Sequence, residues 1–231
     1  MANERDSAAE FVTAVLRQCE RERFESVTIF AVLDRKSTDG TREILEDIAE
    51  REPRLRVIWA PENRSAVDAY FRGYREAIGA NCDWILEIDA GFSHQPEDLP
   101  RFFAKMRKGY DCVFGSRFCP GGQISDTSWQ RRVLSGGGTF IANLLLGTRL
   151  RDMTSGFQLF TRRALEKVLS RGIHSRGHFF QTEMKAYSRH MAVAEVPIHY
   201  RSASASVNLA VIKDALANLW RLFRLRLAGA L

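Results

Sequence analysis

The sequence predicts an α/β protein built on a mostly parallel sheet, and three observations lead there. Helical and strand patterns alternate from the start of the chain to Phe114, and strands separated by helices of that length imply right-handed crossovers. The 231 residues suit one large domain with a well-buried core, or at most two small ones. The apolar stretch from Trp84 to Ile88 runs straight into Asp89, then the small pair Ala90-Gly91 and a polar loop closed by Pro96. In an open α/β sheet the carboxyl end of a strand is where ligands bind. An aspartate held there can carry a divalent cation on the phosphates of a nucleotide. The plainer reading of the same residues is a strand followed by a turn.

Taken in order, Ala8, Phe11, Val12, Val15, Leu16 and Cys19 fall at helical spacing. Val27 to Leu33 is a β-branched apolar run, and Ser37-Thr38-Asp39-Gly40-Thr41 supplies turn and capping residues. Ile44, Leu45 and Ile48 mark a second helix, and Leu55 to Trp59 a second strand. Val67, Tyr70, Phe71, Tyr74, Ala77 and Ile78 mark a third helix with Asn63 as its cap. The strand ending at Asp89 follows, then a helix carrying Leu99, Phe102, Phe103 and Met106, then a strand at Cys112 to Phe114. Beyond Gly115 the rhythm breaks. A Gly-rich polar stretch from Pro120 to Ser128 precedes a helix from Trp129 to Leu146 and a strand within Met153–Phe160. Helices at Arg162–Ser170 and Phe180–His190 and a strand at Val193–Ile198 complete one domain, residues 1–207, with residues 208–231 as a terminal helix.

Net charge +6 and pI near 9.4 suit an anionic partner such as phosphate, nucleic acid or an acidic membrane surface. Nucleic acid fits poorly, because basic and aromatic residues are not interleaved on a recognisable platform. Cys19, Cys82, Cys112 and Cys119 show neither C-x-x-C pairing nor a histidine placed for zinc. A reducing cytosol is the simplest compartment. No apolar run reaches the roughly 18 residues of a spanning helix.

Five motifs now occur in order: Asp34-x-x-Ser37-Thr38-Asp39-Gly40-Thr41, Asn63, Ile88-Asp89-Ala90, Gly115-Ser116-Arg117-Phe118 and Thr154-Ser155-Gly156-Phe157. Together they resemble the family 2 glycosyltransferases, and within them the dolichol-phosphate mannose synthase group. The resemblance runs from Asn3 to about Ser206. It implies a GT-A fold, a Rossmann-like sheet with the donor site on its carboxyl edge. It further implies a nucleotide-sugar donor, a polyprenyl-phosphate acceptor and Mg2+ or Mn2+. By the same match Asp34 reads the nucleobase and Asp89 is the metal ligand and diphosphate anchor, with Ala90 beside it. Asn3 and Glu4 match the family's Asn-Glu turn and so count among the donor-binding residues. Arg117 and either Arg131 or Arg132 match positions that face phosphate, which arginine's planar fork suits. Gly156 permits close backbone approach to sugar or acceptor. Arg201 and Ser206 match a segment closing over the diphosphate. Glu183 is either sugar-contacting or structural.

The match departs from the family in two places. The metal loop commonly reads Asp-Ala-Asp-Leu-Gln-His, whereas here it reads Asp89-Ala90-Gly91-Phe92-Ser93-His94. Magnesium often takes only one or two protein carboxylates plus phosphates and waters. Ser93 or His94 could add a ligand, and histidine would favour manganese. The second departure is the apolar strand that precedes the Asn-Glu turn in the family. It normally lies inside the sheet, and without it each buried neighbouring backbone group would lose about 1–3 kcal/mol. On this reading Met1 is an internal methionine, or the sheet closes differently.

Leu209, Ile212, Leu216, Leu219, Trp220, Phe223 and Leu227 form one helical stripe, with Lys213, Arg221 and Arg224 largely opposite and Arg226 nearby. That is the composition of a helix lying in a membrane interface, or of one packed on its own domain. The function so predicted is inverting transfer of a hexose from GDP-mannose or UDP-glucose to a polyprenyl phosphate. Asp89, Arg117 and Arg131 carry it, in the cytosol or peripherally on the cytoplasmic membrane face. Two other readings stand beside it. One sends the sugar to a saccharide or other hydroxyl, with Glu183 or Asp152 as base. The other is a nucleotide-sugar-binding protein without turnover.

Overall fold

The computed structural model describes residues 1–125, 129–201 and 209–231, and of residues 129–132 and 134 the backbone alone. Helix α1 (Ala8–Glu20) buries Phe11, Val12, Val15, Leu16 and Cys19, the stripe its sequence period predicts. β1 (Ile29–Leu33) and β2 (Leu55–Trp59) pair in parallel, from Ile29 opposite Leu55 to Leu33 opposite Trp59, with α2 (Thr41–Ala49) as the crossover. α3 (Ala66–Gly79) starts from a capping box. Ser65 Oγ accepts from the Asp68 amide, and the Asp68 carboxylate accepts from the Ser65 amide at 3.0 Å. The cap is therefore Ser65 rather than Asn63, because only Ser65 has an acid three residues on to close the box.

β3 (Trp84–Glu87), β6 (Gln158–Thr161), β4 (Cys112–Ser116) and β7 (Val193–Pro197) form a four-stranded sheet in that order. β4 and β7 are parallel, while β6 lies antiparallel to both its neighbours. The direction of β6 has a local cause. Asp152 is clamped to Arg117, just beyond the carboxyl end of β4, at 2.7 and 2.8 Å. The chain leaving α5 (Trp129–Leu146) is thus pinned at that edge and must run back down the sheet. β5 (Gln123–Ser125) and β8 (His199–Arg201) make a short parallel pair at the rim that the polar sequence around them did not signal. Helices α4 (Leu99–Met106), α6 (Arg162–Leu169), α7 (Phe180–Tyr187) and α8 (Leu209–Leu227) complete the described fold. The four cysteines are free.

β1 and β3 share no ladder. Between their facing edges lies a cleft of about 950 Å³, lined by Ile29, Ala31 and Val32 on one side and Ile85, Leu86 and Glu87 on the other. The sheet expected as continuous is accordingly split into two ladders, with a largely apolar slot between β1 and β3. α1 floors the slot through Phe11, Val12 and Val15. At its mouth the Met1 amine donates to the Val32 carbonyl at 2.6 Å.

Candidate active site

The site is built where α3 crosses the end of β3. Glu87 and Asp89 lie two apart on β3 and its extension, so they point the same way. Tyr70 and Tyr74 lie four apart on α3 and likewise share a face. The two periods meet: the Tyr74 hydroxyl donates to Glu87 and the Tyr70 hydroxyl to Asp89. In sequence these tyrosines are indistinguishable from an ordinary core stripe. Glu87, by contrast, leaves a signal, an acid inside an otherwise apolar run.

Burial pushes the Glu87 carboxyl up to about 8, with the charge of Asp89 adding to it, against the hydrogen bonds from Tyr74 and Gln181 that pull it down. The native state therefore holds a proton that the unfolded chain releases near pH 4.5. Stability contributed by that proton is present below the unfolded value and lost as pH rises toward 8. Urea unfolding is expected to show a fall on the order of 3–5 kcal/mol between pH 5 and pH 8. Glu87→Gln, which keeps the neutral shape, is expected to flatten that slope, and an unchanged slope in the variant would refute the assignment.

Asp89 keeps 28% of its side chain exposed and lines the cleft beside Glu4, Asp34, Ala90 and Ser93. The Met1 amine lies in the same lining. Burial lowers that amine's pKa, while Asp34, Asp89 and Glu4 each raise it. Asp34, Asp89 and Glu4 thus share the lining of this corner.

The place of the missing second acid is also informative. Gly91 has φ +69°, and a Cβ built on it would collide with the Glu4 carboxylate. Glu4 is held there by Ser7 Oγ at 3.0 Å, and its amide donates to Thr41 Oγ1 at 2.8 Å. A carboxylate from the start of the chain therefore occupies the space that a side chain at 91 would fill. Gly91→Ala is expected to destabilise the protein by about 2–3 kcal/mol, combining left-handed strain with the clash. In a Glu4→Ala background the cost should drop to about 1 kcal/mol, the strain alone. Chemical denaturation of the four proteins measures both, and additive costs would show that the two positions do not meet.

Other predicted residues are placed differently. His94 is buried, stacked on Phe157 at 4.8 Å and flanked by Tyr200. Its Nδ1 accepts the Asp89 amide at 3.0 Å, so it is neutral with its proton on Nε2. Burial lowers its pKa further. His94 therefore shapes the Asp89 turn and does not offer Nδ1 to a metal. Ser93 does line the cleft, and its carbonyl accepts the Arg201 amide at 2.9 Å, which brings exposed Arg201 to this rim.

Arg117 does not face the cleft. Its guanidinium forks onto Asp152, which is fully buried, and reaches Thr154 Oγ1 at 2.5 Å. It borders a separate cavity of about 410 Å³ with Phe118 and Gly122. Asp152 also accepts the Thr154 and Ser155 amides at 3.1 Å. Lys185, buried, ties the Asp152 and Ser155 carbonyls at 2.8 Å. The Arg117–Asp152–Lys185 group is the loop's internal frame.

A Cβ on Gly156 would overlap the Gln181 side-chain amide. Glu183 is buried, accepting from the His174 and Ser175 amides and pairing with Arg221, so its role is structural. Asn3 Oδ1 accepts the Thr38 amide at 3.0 Å, which makes it a loop tie. Asp39 accepts from Thr41 and from the Arg5 amide, shaping the turn as expected. Asp34 is buried at the end of β1 and lines the cleft, with Oδ1 on the Lys36 amide at 2.8 Å. The side chains of Arg131 and Arg132, and Ser206, lie outside the described residues.

An acidic strand end over a cleft, beside a βαβ unit, defines an open-sheet α/β protein whose strand ends face a ligand-sized space. The chain belongs to glycosyl transferase family 2, whose profile matches residues 1–169. It is 31% identical over 77% of its length to a polyprenol monophosphomannose synthase of Mycolicibacterium smegmatis, of which it covers 68%. It is 29% identical over 82% of its length to an undecaprenyl-phosphate mannosyltransferase of Micrococcus luteus, of which it covers 80%. Among solved structures it superposes with TM-score 0.66 on glucosyl-3-phosphoglycerate synthase from Mycobacterium tuberculosis in complex with Mn2+, UDP and phosphoglyceric acid. That match has 17% identity and covers 96% of this chain and 76% of the other. The same enzyme with Mg2+ and UDP gives 0.62, at 18% identity over 97% and 77%. The fold is thus GT-A-like.

Proposed function

We propose that the protein transfers a hexose from a nucleotide-diphosphate sugar to a polyprenyl phosphate with inversion. The observation that carries this reading is the state of the carboxylates. A hydroxyl acceptor needs a general base, yet Glu183 and Asp152, the acids offered for that task, are both consumed by internal hydrogen bonds and arginines. A phosphate oxygen is ionised at neutral pH and attacks without one. The names of both relatives, a polyprenol monophosphomannose synthase and an undecaprenyl-phosphate mannosyltransferase, support the same acceptor class.

The donor would lie with its base toward Asp34. Nearby on the loops after β1 and β2, Ser37 Oγ and Asn63 Nδ2 are buried without a partner among the described residues, a condition that a bound ligand would relieve. The residues at the corner fit a divalent cation shared with donor phosphates. They offer hard oxygen ligands, one partly exposed carboxylate at Asp89 and a second from Glu4 against Gly91. No group of three or more potential ligand side chains occurs among the described residues, so substrate oxygens would complete the shell. When bound, such an ion supplies positive charge where the departing diphosphate becomes negative. Asp89 orients that charge, Tyr70 holds the Asp89 rotamer, and Arg201 stands at the rim. Arg131 or Arg132, at the start of α5, would orient the acceptor phosphate. Contact with the membrane through α8 would bring the lipid acceptor to hand.

The test is transfer from GDP-mannose and UDP-glucose to a short-chain polyprenyl phosphate, with and without Mn2+. Lipid-phase product is the expected outcome. Product only on saccharide acceptors, or donor binding with no product, would overturn the reading.

A further inference from the structure

The two helices α5 and α8 together carry every exposed large hydrophobic side chain of the described residues. On α5 these are Val133, Phe140, Ile141 and Leu144, spaced i, i+7, i+8 and i+11, with Phe140 69% exposed. On α8 they are Leu209, Ile212, Leu216, Trp220 and Leu227, again one stripe, with Trp220 60% exposed. Each stripe lies opposite the face that the helix buries, which is Thr139, Ala142 and Leu146 on α5 and Asn218 and Leu222 on α8. Ala142, Leu146 and Leu222 enter the same core cluster. The helices are clasped, since Arg226 of α8 donates to the Leu144 and Leu145 carbonyls at the end of α5, at 2.7 and 2.9 Å. Two adjacent helices seated on one core, each turning its stripe away from it, present both stripes on one side of the molecule.

A tail helix packed on its own domain through its apolar stripe, one of the two sequence readings, is not what occurs here. The helix packs through its narrow Asn218–Leu222 side, and Arg221 points inward to Glu183 and Tyr187.

We infer that α5 and α8 form a single platform that docks on an anionic lipid surface. This rests on the lipid-acceptor reading and adds to it a second helix, the one that also carries Arg131 and Arg132. Charge decides between lipid and a second copy of the chain. On these helices the one acid is Asp214, and of the basic residues Arg221 and Arg226 turn inward, to Glu183 and to the end of α5. Asp214 is engaged by Ser175 Oγ at 2.6 Å and the Gly177 amide at 3.2 Å. Exposed Lys213 and Arg224 flank the α8 stripe. A two-fold contact would press like charges together, whereas an acidic headgroup layer neutralises them. Tryptophan within an apolar stripe flanked by cations suits the interface depth. No helix among the described residues is long and apolar enough to cross a membrane.

The test is co-sedimentation of the full chain with vesicles of phosphatidylcholine and phosphatidylglycerol, against vesicles of phosphatidylcholine alone. Binding is expected only to the acidic vesicles. The pair Phe140→Ser/Leu144→Ser and the pair Leu216→Ser/Trp220→Ser should each weaken it at least about tenfold, with melting unchanged because these side chains are exposed. Transfer to a short, water-soluble prenyl phosphate should persist in both pairs. Unimpaired binding in the α5 pair would overturn the platform, as would absence of binding in the parent chain. A concentration-dependent dimer lost in the same variants would do so too. Retained vesicle binding with no transfer to any prenyl phosphate would instead strike the transferase reading and leave the docking surface standing.

Discussion

Asp89→Asn is expected to lower kcat/KM for transfer by about 10²–10³, the usual cost of removing one preorganised electrostatic group at a departing charge. The fold should survive, because Asp89 lies on the cleft lining and its side chain has one short partner, Tyr70. Calorimetric titration with nucleotide separates the contributions. Mn2+-dependent affinity should fall, while the metal-free component, read by Asp34 and its neighbours, should stay. Tyr70→Phe gives a graded control. It frees the carboxylate without removing it, so its effect on kcat should be several-fold smaller than that of Asp89→Asn. Metal-dependent nucleotide binding that is unchanged in Asp89→Asn would remove the site.

Asp152→Asn is expected to be the most destabilising polar substitution in the chain, by about 3–5 kcal/mol, because it strands the buried Arg117 charge. For a domain of this size that lowers Tm by about 10 °C. Burial alone would raise the Asp152 carboxyl. The hydrogen bonds and charge of Arg117, assisted by Lys185, overrule it and hold the group at about 2. An acid with a depressed native pKa contributes its stability above the unfolded value near 3.8, and that contribution is lost as pH falls through about 2. The parent protein should thus lose stability between roughly pH 4 and pH 2 by a step that the variant lacks. The double change Arg117→Met/Asp152→Leu should recover part of the loss, since apolar replacement of a buried pair is often neutral. If Arg117 instead served a bound phosphate, the double variant would lose nucleotide affinity with little change in melting.

The elements of the fold were legible in sequence because each rests on neighbours a few residues apart. The i, i+3, i+4 stripe of α1, the β-branched run of β1 and the apolar run into Asp89 all report local periodicity. Asp34, Asp89, Ala90 and Ser93 line one cleft because strand ends in such a sheet share an edge. Arg117 was misassigned for the complementary reason. Its partner lies 35 residues away in sequence, and a loop arginine that meets phosphate looks the same in one dimension as one that meets aspartate. His94, in the loop that follows Asp89, suggested a further metal ligand, whereas the turn brings its Nδ1 onto the Asp89 amide. Glu4 filling the space at Gly91 depends on a contact across 87 residues that no motif encodes.

By itself the chain determined its class, its order of helices and strands and the acid at the sheet's edge, since these follow from short-range propensity and spacing. Tertiary structure alone decided which charges are spent inside and which stay available. That choice depends on burial and pairing between distant segments, where the cost of an unpartnered ion exceeds any local preference.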